Sequence, residues 1–155
     1  NGSPKVVKEK VETVVEIKVP ADKFYNIWSK QAHHVPTASP NNIEAVHVHD
    51  GDWETEGSIK VWKYNIDGSP KVVKEKVVLN DEDKSVTMIG LEGDMFQEFK
   101  AMKTVLHANP KGEGNSLVKV SIEYEKIKEE IPTPNNYLNL VVNIIKDIEA
   151  HHLKG

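Results

Sequence analysis

Residues 98–125 read EFKAMKTVLHANPKGEGNSLVKVSIEYE, and this stretch decides the fold class. In Glu98–Ala108 the set Met102, Thr104, Leu106 and Ala108 carries no charge, whereas Lys103 and His107 fall in the alternate set. In Ser116–Glu125, Val118, Val120, Ile122 and Tyr124 oppose Lys119, Ser121 and Glu123. Period-two alternation of this kind places one apolar face on a core and one charged face in water. Asn109-Pro-Lys-Gly-Glu-Gly114 between the two runs is turn chemistry, so the pair reads as an antiparallel hairpin.

The same alternation recurs outward from this hairpin. Strands are expected at Val11–Val19, Ile43–His49, Ser58–Ile66, Lys71–Leu79 and Ser85–Leu91, with turns at Asn65–Pro70 and Asn80–Asp83. Trp62, Tyr64 and Ile66 oppose Lys63 and Asn65, and Val86 and Met88 oppose Ser85 and Thr87. After Pro20, residues Ala21–Ser29 bring Phe24, Ile27 and Trp28 to helical spacing, and Pro36 and Pro40 close that irregular helical stretch. From about Pro134 to Leu153 the period changes to three and four. Leu138, Val141, Val142, Ile145 and Ile148 form an apolar stripe, Thr133 is the expected N-cap and Pro134 the first helical residue. One strand, two short helices, six meandering strands and a long last helix make an α+β domain, expected as one unit over residues 1–155.

Composition narrows the function. The chain has 155 residues, 38% hydrophobic and 28% charged, with no apolar run of membrane-spanning length and no recognisable leader. Without cysteine there are no disulfides, thiol nucleophiles or thiolate metal sites, and a cytoplasmic location is expected. Every basic residue is a lysine, so bidentate guanidinium readout of phosphate or guanine is lacking. With a net charge of −4, nucleic acid is not an expected partner. His33-His34 and His151-His152 are adjacent pairs that diverge on a helix, and His47 and His49 have no carboxylate placed beside them, so no metal is expected. No nucleophile elbow appears. The Asn1-Gly2-Ser3 sequon at the terminus is read as idle.

One repeat stands out. Gly2-Ser-Pro-Lys-Val-Val-Lys-Glu-Lys-Val11 recurs letter for letter as Gly68–Val77 and has no further echo, which is a copied segment and not a repeat architecture. The second copy holds Glu75. Lys74 and Lys76 share one strand face, so Val73, Glu75, Val77 and Leu79 share the other, and a carboxylate turns inward. It either pairs structurally within the sheet or orients a ligand and moves a proton, with burial raising its pKa. Glu9, its counterpart in the first copy, is expected to be exposed at a frayed end.

The inward faces differ from a dry core in two ways. Trp62, Tyr64 and Tyr124 bring in polar tips that need partners, and Gly90 and Ala108 leave the face small. A chamber between sheet and helix accounts for both; packing of the same residues on the helix, tips at the rim, is the alternative.

The motifs resemble a known family. His33-His34-Val35-Pro36, Asp50-Gly51-Asp52-Trp53 with Gly57-Ser58-Ile59, Trp62-x-Tyr64 before Asp67-Gly68, Lys74-Glu75 and Glu92-Gly93-Asp94 are similar to plant major latex proteins. Glu123-Tyr124-Glu125-Lys126 and the closing Lys146–Leu153 match them too, so the resemblance covers about residues 10–155. Those proteins belong to the birch-pollen-allergen superfamily, related to START lipid-transfer domains. The resemblance implies a seven-stranded antiparallel sheet gripping the C-terminal helix around a hydrophobic cavity of several hundred Å³. It also implies a small hydrophobic plant metabolite as ligand, no cofactor, and a monomer or weak dimer. Two departures are plain: residues 1–9 do not resemble the family start, and the loop Gly51–Gly57, with Glu54 and Glu56, is poor as a phosphate cradle.

Two functions follow as expectations. The first is a non-catalytic carrier or defence-related binding protein. The second is a cofactor-independent cyclase or isomerase of terpenoid or alkaloid intermediates, with Glu75 as the acid/base group. The candidate ligand-binding set comprises Trp62, Tyr64, Met88, Met102, Thr104, Leu106 and Tyr124 from the strands. Tyr25 and His34 come from the helical pair, and Tyr137, Val141 and Ile145 from the last helix. The loop Asp50–Gly57 and the chain around His34–Pro40 are expected to form the mouth, with Trp53 as its lid.

Overall fold

A computed structural model describes residues 8–154; the sequon and most of the first decapeptide copy lie outside them. Strand β1 (Glu9–Ile17) leads into helix α1 (Ala21–Lys30), a 3₁₀ turn (Ala32–His34) and the short helix α2 (Val35–Ala38). Strands β2 (Ile43–Asp50), β3 (Ile59–Ile66), β4 (Ser69–Asn80), β5 (Ser85–Gly93), β6 (Phe99–Pro110) and β7 (Ser116–Lys126) follow. Helix α3 (Asn135–Leu153) closes the chain. All strands pair antiparallel in the order β1-β7-β6-β5-β4-β3-β2, so β1 crosses to the far edge beside β7. No helix among the described residues is long and apolar enough to cross a membrane.

Local chemistry explains the joints. Asp67 and Gly68 both have positive φ (52° and 78°), and Ile66 pairs with Ser69, giving the two-residue turn that matches strand twist. In β4–β5 the register slips between Lys74 and Glu75, so Leu91 has no partner and Glu75 stands opposite Gly90. The β5–β6 ladder runs only from Ser85–His107 to Ile89–Lys103, after which the strands part beside Gly90.

The structure revises several sequence expectations. Strand β1 begins at Glu9 instead of fraying, because Glu9 is held opposite Tyr124 and accepts its hydroxyl hydrogen at 3.2 Å. Thr133 does not cap α3: its side chain makes no capping bond, and Pro134, the N-cap residue, contributes its carbonyl to the Leu138 N–H. The helix also turns slightly from the expected stripe. Tyr137, Leu140, Ile144, Ile145 and Ile148 are buried, while Leu138, Val141 and Val142 are half-buried at its margins. A helix placed over a curved sheet and beside α2 buries more than one stripe, so spacing alone misplaces its axis by a residue.

Candidate functional site

Between the inner sheet face and α3 lies a cavity of about 70 Å³. Its floor is Trp62 and Tyr64 of β3, Val73 and Glu75 of β4, Met88 of β5 and Met102 and Thr104 of β6. Its roof is Trp28 of α1 together with Tyr137, Leu140, Val141 and Ile144 of α3. The expected several hundred Å³ are not open in this conformation. The rings of Trp28 and Trp62 stack at 6.1 Å, and Met88, Met95 and Met102 fill the rest. At ~10–15 Å³ per water the space admits only a handful of solvent molecules. Methionine walls re-pack at little cost, so the volume is adjustable.

Of the sequence-derived candidates, the structure gathers Glu75, Trp62, Tyr64, Met88, Met102, Thr104, Tyr137 and Val141 around this space. Five others it does not. Tyr25 points away from the cavity and donates to Asp81 in the β4–β5 turn, which ties α1 to that turn. His34 is exposed, in a surface groove with His151 and His152. Leu106 and Ile145 are packed solid in the core. Tyr124 looks toward β1 and Glu9 and borders the outer opening where β5 and β6 part. Leu106, Tyr124 and Ile145 have the inward parity or helical spacing expected of them, but parity does not say how far along the strand the chamber extends.

Polar groups on the wall are few. The Tyr64 and Tyr137 hydroxyls bond each other at 2.7 Å, and burial raises both phenol pKa values. The Trp28 indole N–H points to the Met88 sulfur at 3.1 Å. Glu75 has no protein hydrogen-bond partner among the described residues. Burial alone pushes its pKa up to about 7, because the charged form has lost its water and gained nothing in return. Its intermediate accessibility belongs to the cavity, since Glu75 lines both the main space and a narrow extension of it.

Sequence reasoning missed Lys60. It lies two residues before Trp62, so the same alternation that turned Trp62 inward applies to it. It is 3% exposed and sits directly opposite Glu75 in the β3–β4 register. Burial lowers its pKa, opposed by Asp52. Trp28, Met95, Leu140 and Ile144 were also missed as lining residues, since a roof crossing from other elements leaves no signal in strand alternation.

The loop from Asp50 to Ser58 leans over this end. The Trp53 ring lies 4.7 Å from the His33 ring, and the Lys60 ammonium nitrogen stands 5.7 Å from the Trp53 ring centre. Asp52 takes the N–H groups of Glu54 and Thr55 and the Thr55 hydroxyl into its own carboxylate. Several of the loop's donors are thus occupied by the chain itself, and the carboxylate of Asp52 stands where a phosphate would have to sit against them.

This order of elements, with a helix laid over a seven-stranded sheet and an apolar space between them, can be set beside known proteins. The pathogenesis-related protein Bet v 1 family matches residues 5–155. The chain belongs to that family. Among its relatives, MLP-like protein 43 of Arabidopsis thaliana is 42% identical over 93% of this chain and 92% of its own length. MLP-like protein 28 of the same plant is also 42% identical, but the chain spans only 44% of that longer relative. The crystal structure of ginseng major latex-like protein 151 from Panax ginseng superposes with a TM-score of 0.90. It is 39% identical, covering 94% of this chain and 98% of that one. This Bet v 1 family chain therefore falls among the major latex protein-like members. Norcoclaurine synthase from Thalictrum flavum, at 22% identity, 94% coverage of this chain and 89% of its own, and a TM-score of 0.72, shares the fold alone.

Proposed function

We propose that this chain binds a small, largely hydrophobic plant metabolite in the cavity between sheet and α3 and acts as a non-catalytic carrier. The observation that carries the reading is the composition of the wall: indoles, methionines and aliphatic side chains surround a few polar groups, the pattern of a pocket that takes apolar molecules and orients them. Desolvation of the ligand drives binding at about 25 cal/mol per Å² of apolar surface. Thr104, the Tyr64–Tyr137 pair and Glu75 set its orientation. Trp53, resting on His33, is the lid. A cytoplasmic site of action, a monomer or weak dimer, and a role in defence or specialised metabolism belong to the same reading and are supported by family membership.

Glu75 favours a second reading. A carboxyl that titrates near neutrality inside an apolar chamber is suited to the acid/base step of a cofactor-independent cyclase or isomerase. The test pairs ligand titration with product analysis on reactive terpenoid and alkaloid intermediates, for the wild-type protein and Glu75→Gln. The carrier reading expects no product above the buffer control and an affinity largely kept by the amide, since the apolar wall supplies most of the binding. A wild-type rate that falls by ~10²–10⁴-fold in the variant, with affinity intact, would replace the carrier by the enzyme.

A further inference from the structure

Lys60 is the least explained residue in the molecule. Buried lysines are ordinarily paired with a carboxylate. Among the described residues none lies within ion-pair distance of its nitrogen, whose one hydrogen bond goes to the Trp53 carbonyl at 3.3 Å. The charge nearest in effect, Asp52, is spent on its own loop. Lys60 and Glu75 face each other across β3 and β4 and line the same narrow extension of the cavity, with Trp28, Trp62, Val77 and Met88. Opposed residues on neighbouring strands have Cβ atoms ~4.5–5.5 Å apart, and the Lys60 side chain, now turned to the Trp53 carbonyl, is long enough to swing onto a small functional group that also meets Glu75. Burial shifts the pair in complementary directions, the ammonium toward the free amine and the carboxylate toward the acid. A buried lysine shifted toward its amine form, and a carboxyl shifted toward its acid form on the same apolar wall, are the equipment for condensing with a carbonyl.

We propose that Lys60 captures apolar aldehydes or ketones in the cavity as a reversible imine, with Glu75 passing the protons. The inference rests on the carrier reading and names the ligand class: an apolar body with one carbonyl. The Lys60 nitrogen lone pair forms the C–N bond while the carbonyl π pair moves to oxygen, which takes the Glu75 proton. The nitrogen then returns a proton to Glu75. In the second half the C–O bond breaks, the hydroxyl leaves as water with the Glu75 proton, and the nitrogen lone pair forms C=N. The iminium N–H restores Glu75. The sum is amine plus carbonyl giving imine plus water, with no oxidant or reductant.

The experiment exposes the folded protein to benzaldehyde and sodium cyanoborohydride at pH 7 and maps benzylated lysines by mass spectrometry. Lys63, exposed on the opposite face of β3, is the internal control. An ordinary lysine is less than ~0.1% unprotonated at this pH, so Lys60 is expected to label more than about tenfold faster than Lys63. Urea should abolish the preference, and Glu75→Gln should slow Lys60 about tenfold without changing Lys63. Labelling of Lys60 no faster than Lys63 in the folded wild-type protein overturns the proposal, whatever the variant does. Toluene, the same shape without the carbonyl, separates the two readings through the intrinsic fluorescence of the cavity tryptophans. Toluene binding without Lys60 trapping defeats the imine site alone, and failure of both defeats the carrier reading with it. Trapping without toluene binding keeps the imine site and removes a purely apolar carrier.

Discussion

The hydroxyls of Tyr64 and Tyr137 meet at 2.7 Å inside the molecule, with their rings edge to face at 5.9 Å, and this contact joins β3 to the first turn of α3. Buried phenols must find a partner, and here each is the other's. Tyr137→Phe leaves the Tyr64 hydroxyl unpaired and is expected to cost about 1–2 kcal/mol, with Tyr64→Phe similar. Tyr64→Phe/Tyr137→Phe should recover part of that loss, because no orphan remains. Urea unfolding of all four proteins gives the coupling energy, and a value indistinguishable from zero would show that the contact contributes nothing.

Glu75 makes stability depend on pH. Its folded pKa, about 7, lies above the ordinary carboxyl value of 4.5, so the folded state binds the extra proton between these limits. The contribution is fully present below pH 4.5, is lost as pH rises through 7, and amounts at most to on the order of 3 kcal/mol. Glu75→Gln removes the dependence. The expected result is a variant whose advantage over wild type grows from pH 5 to pH 8, read from urea midpoints. Parallel curves would mean that Glu75 is solvated in solution.

The methionine wall sets how much space a ligand finds. Met88 touches the Trp28 indole and lines both the main cavity and its extension. Met88→Ala is expected to destabilise by about 2–4 kcal/mol and to admit bulkier apolar ligands. Calorimetric titration with toluene and a bicyclic analogue such as naphthalene checks the second half: the ratio of affinities should move toward the larger molecule.

Access is expected at Trp53. In ¹H–¹⁵N spectra an apolar ligand should shift the amides of Trp53, His33 and their neighbours more than those of Asn80–Lys84, the turn that joins β4 to β5 at the same end of the sheet. Shifts confined to that turn would place the mouth elsewhere.

Much of this architecture is legible in the chain because its signals are local. Alternation in 98–125 shows the β6–β7 hairpin, the Asp67-Gly68 pair shows the β3–β4 turn, and the change of period after Pro134 shows the last helix. Inward parity also found Glu75. The same rule covers Lys60, which went unread only because a lysine in an apolar set contradicts expectation. Leu106, Tyr124 and Ile145 show the other limit: each lies on an inward face, yet one inward face serves both solid core and cavity wall.

The duplicated decapeptide divides what sequence determined from what tertiary structure decided. By itself the sequence determined the element types, the antiparallel hairpins and the face on which each side chain lies, because these depend on neighbours a few residues away. It gave Glu9 and Glu75 the same letters on either side and separated them only by expecting Glu9 to be exposed at a frayed end. In the fold, Glu9 lies in an edge strand, half-buried, bonded to Tyr124. Glu75 lies in an interior strand between Lys60 and Gly90, under Trp28 and α3, where its carboxyl meets no partner among the described residues. Strand order, the size of the cavity and the loss of water around one carboxylate arise from residues far apart in the chain, and no local pattern encodes them.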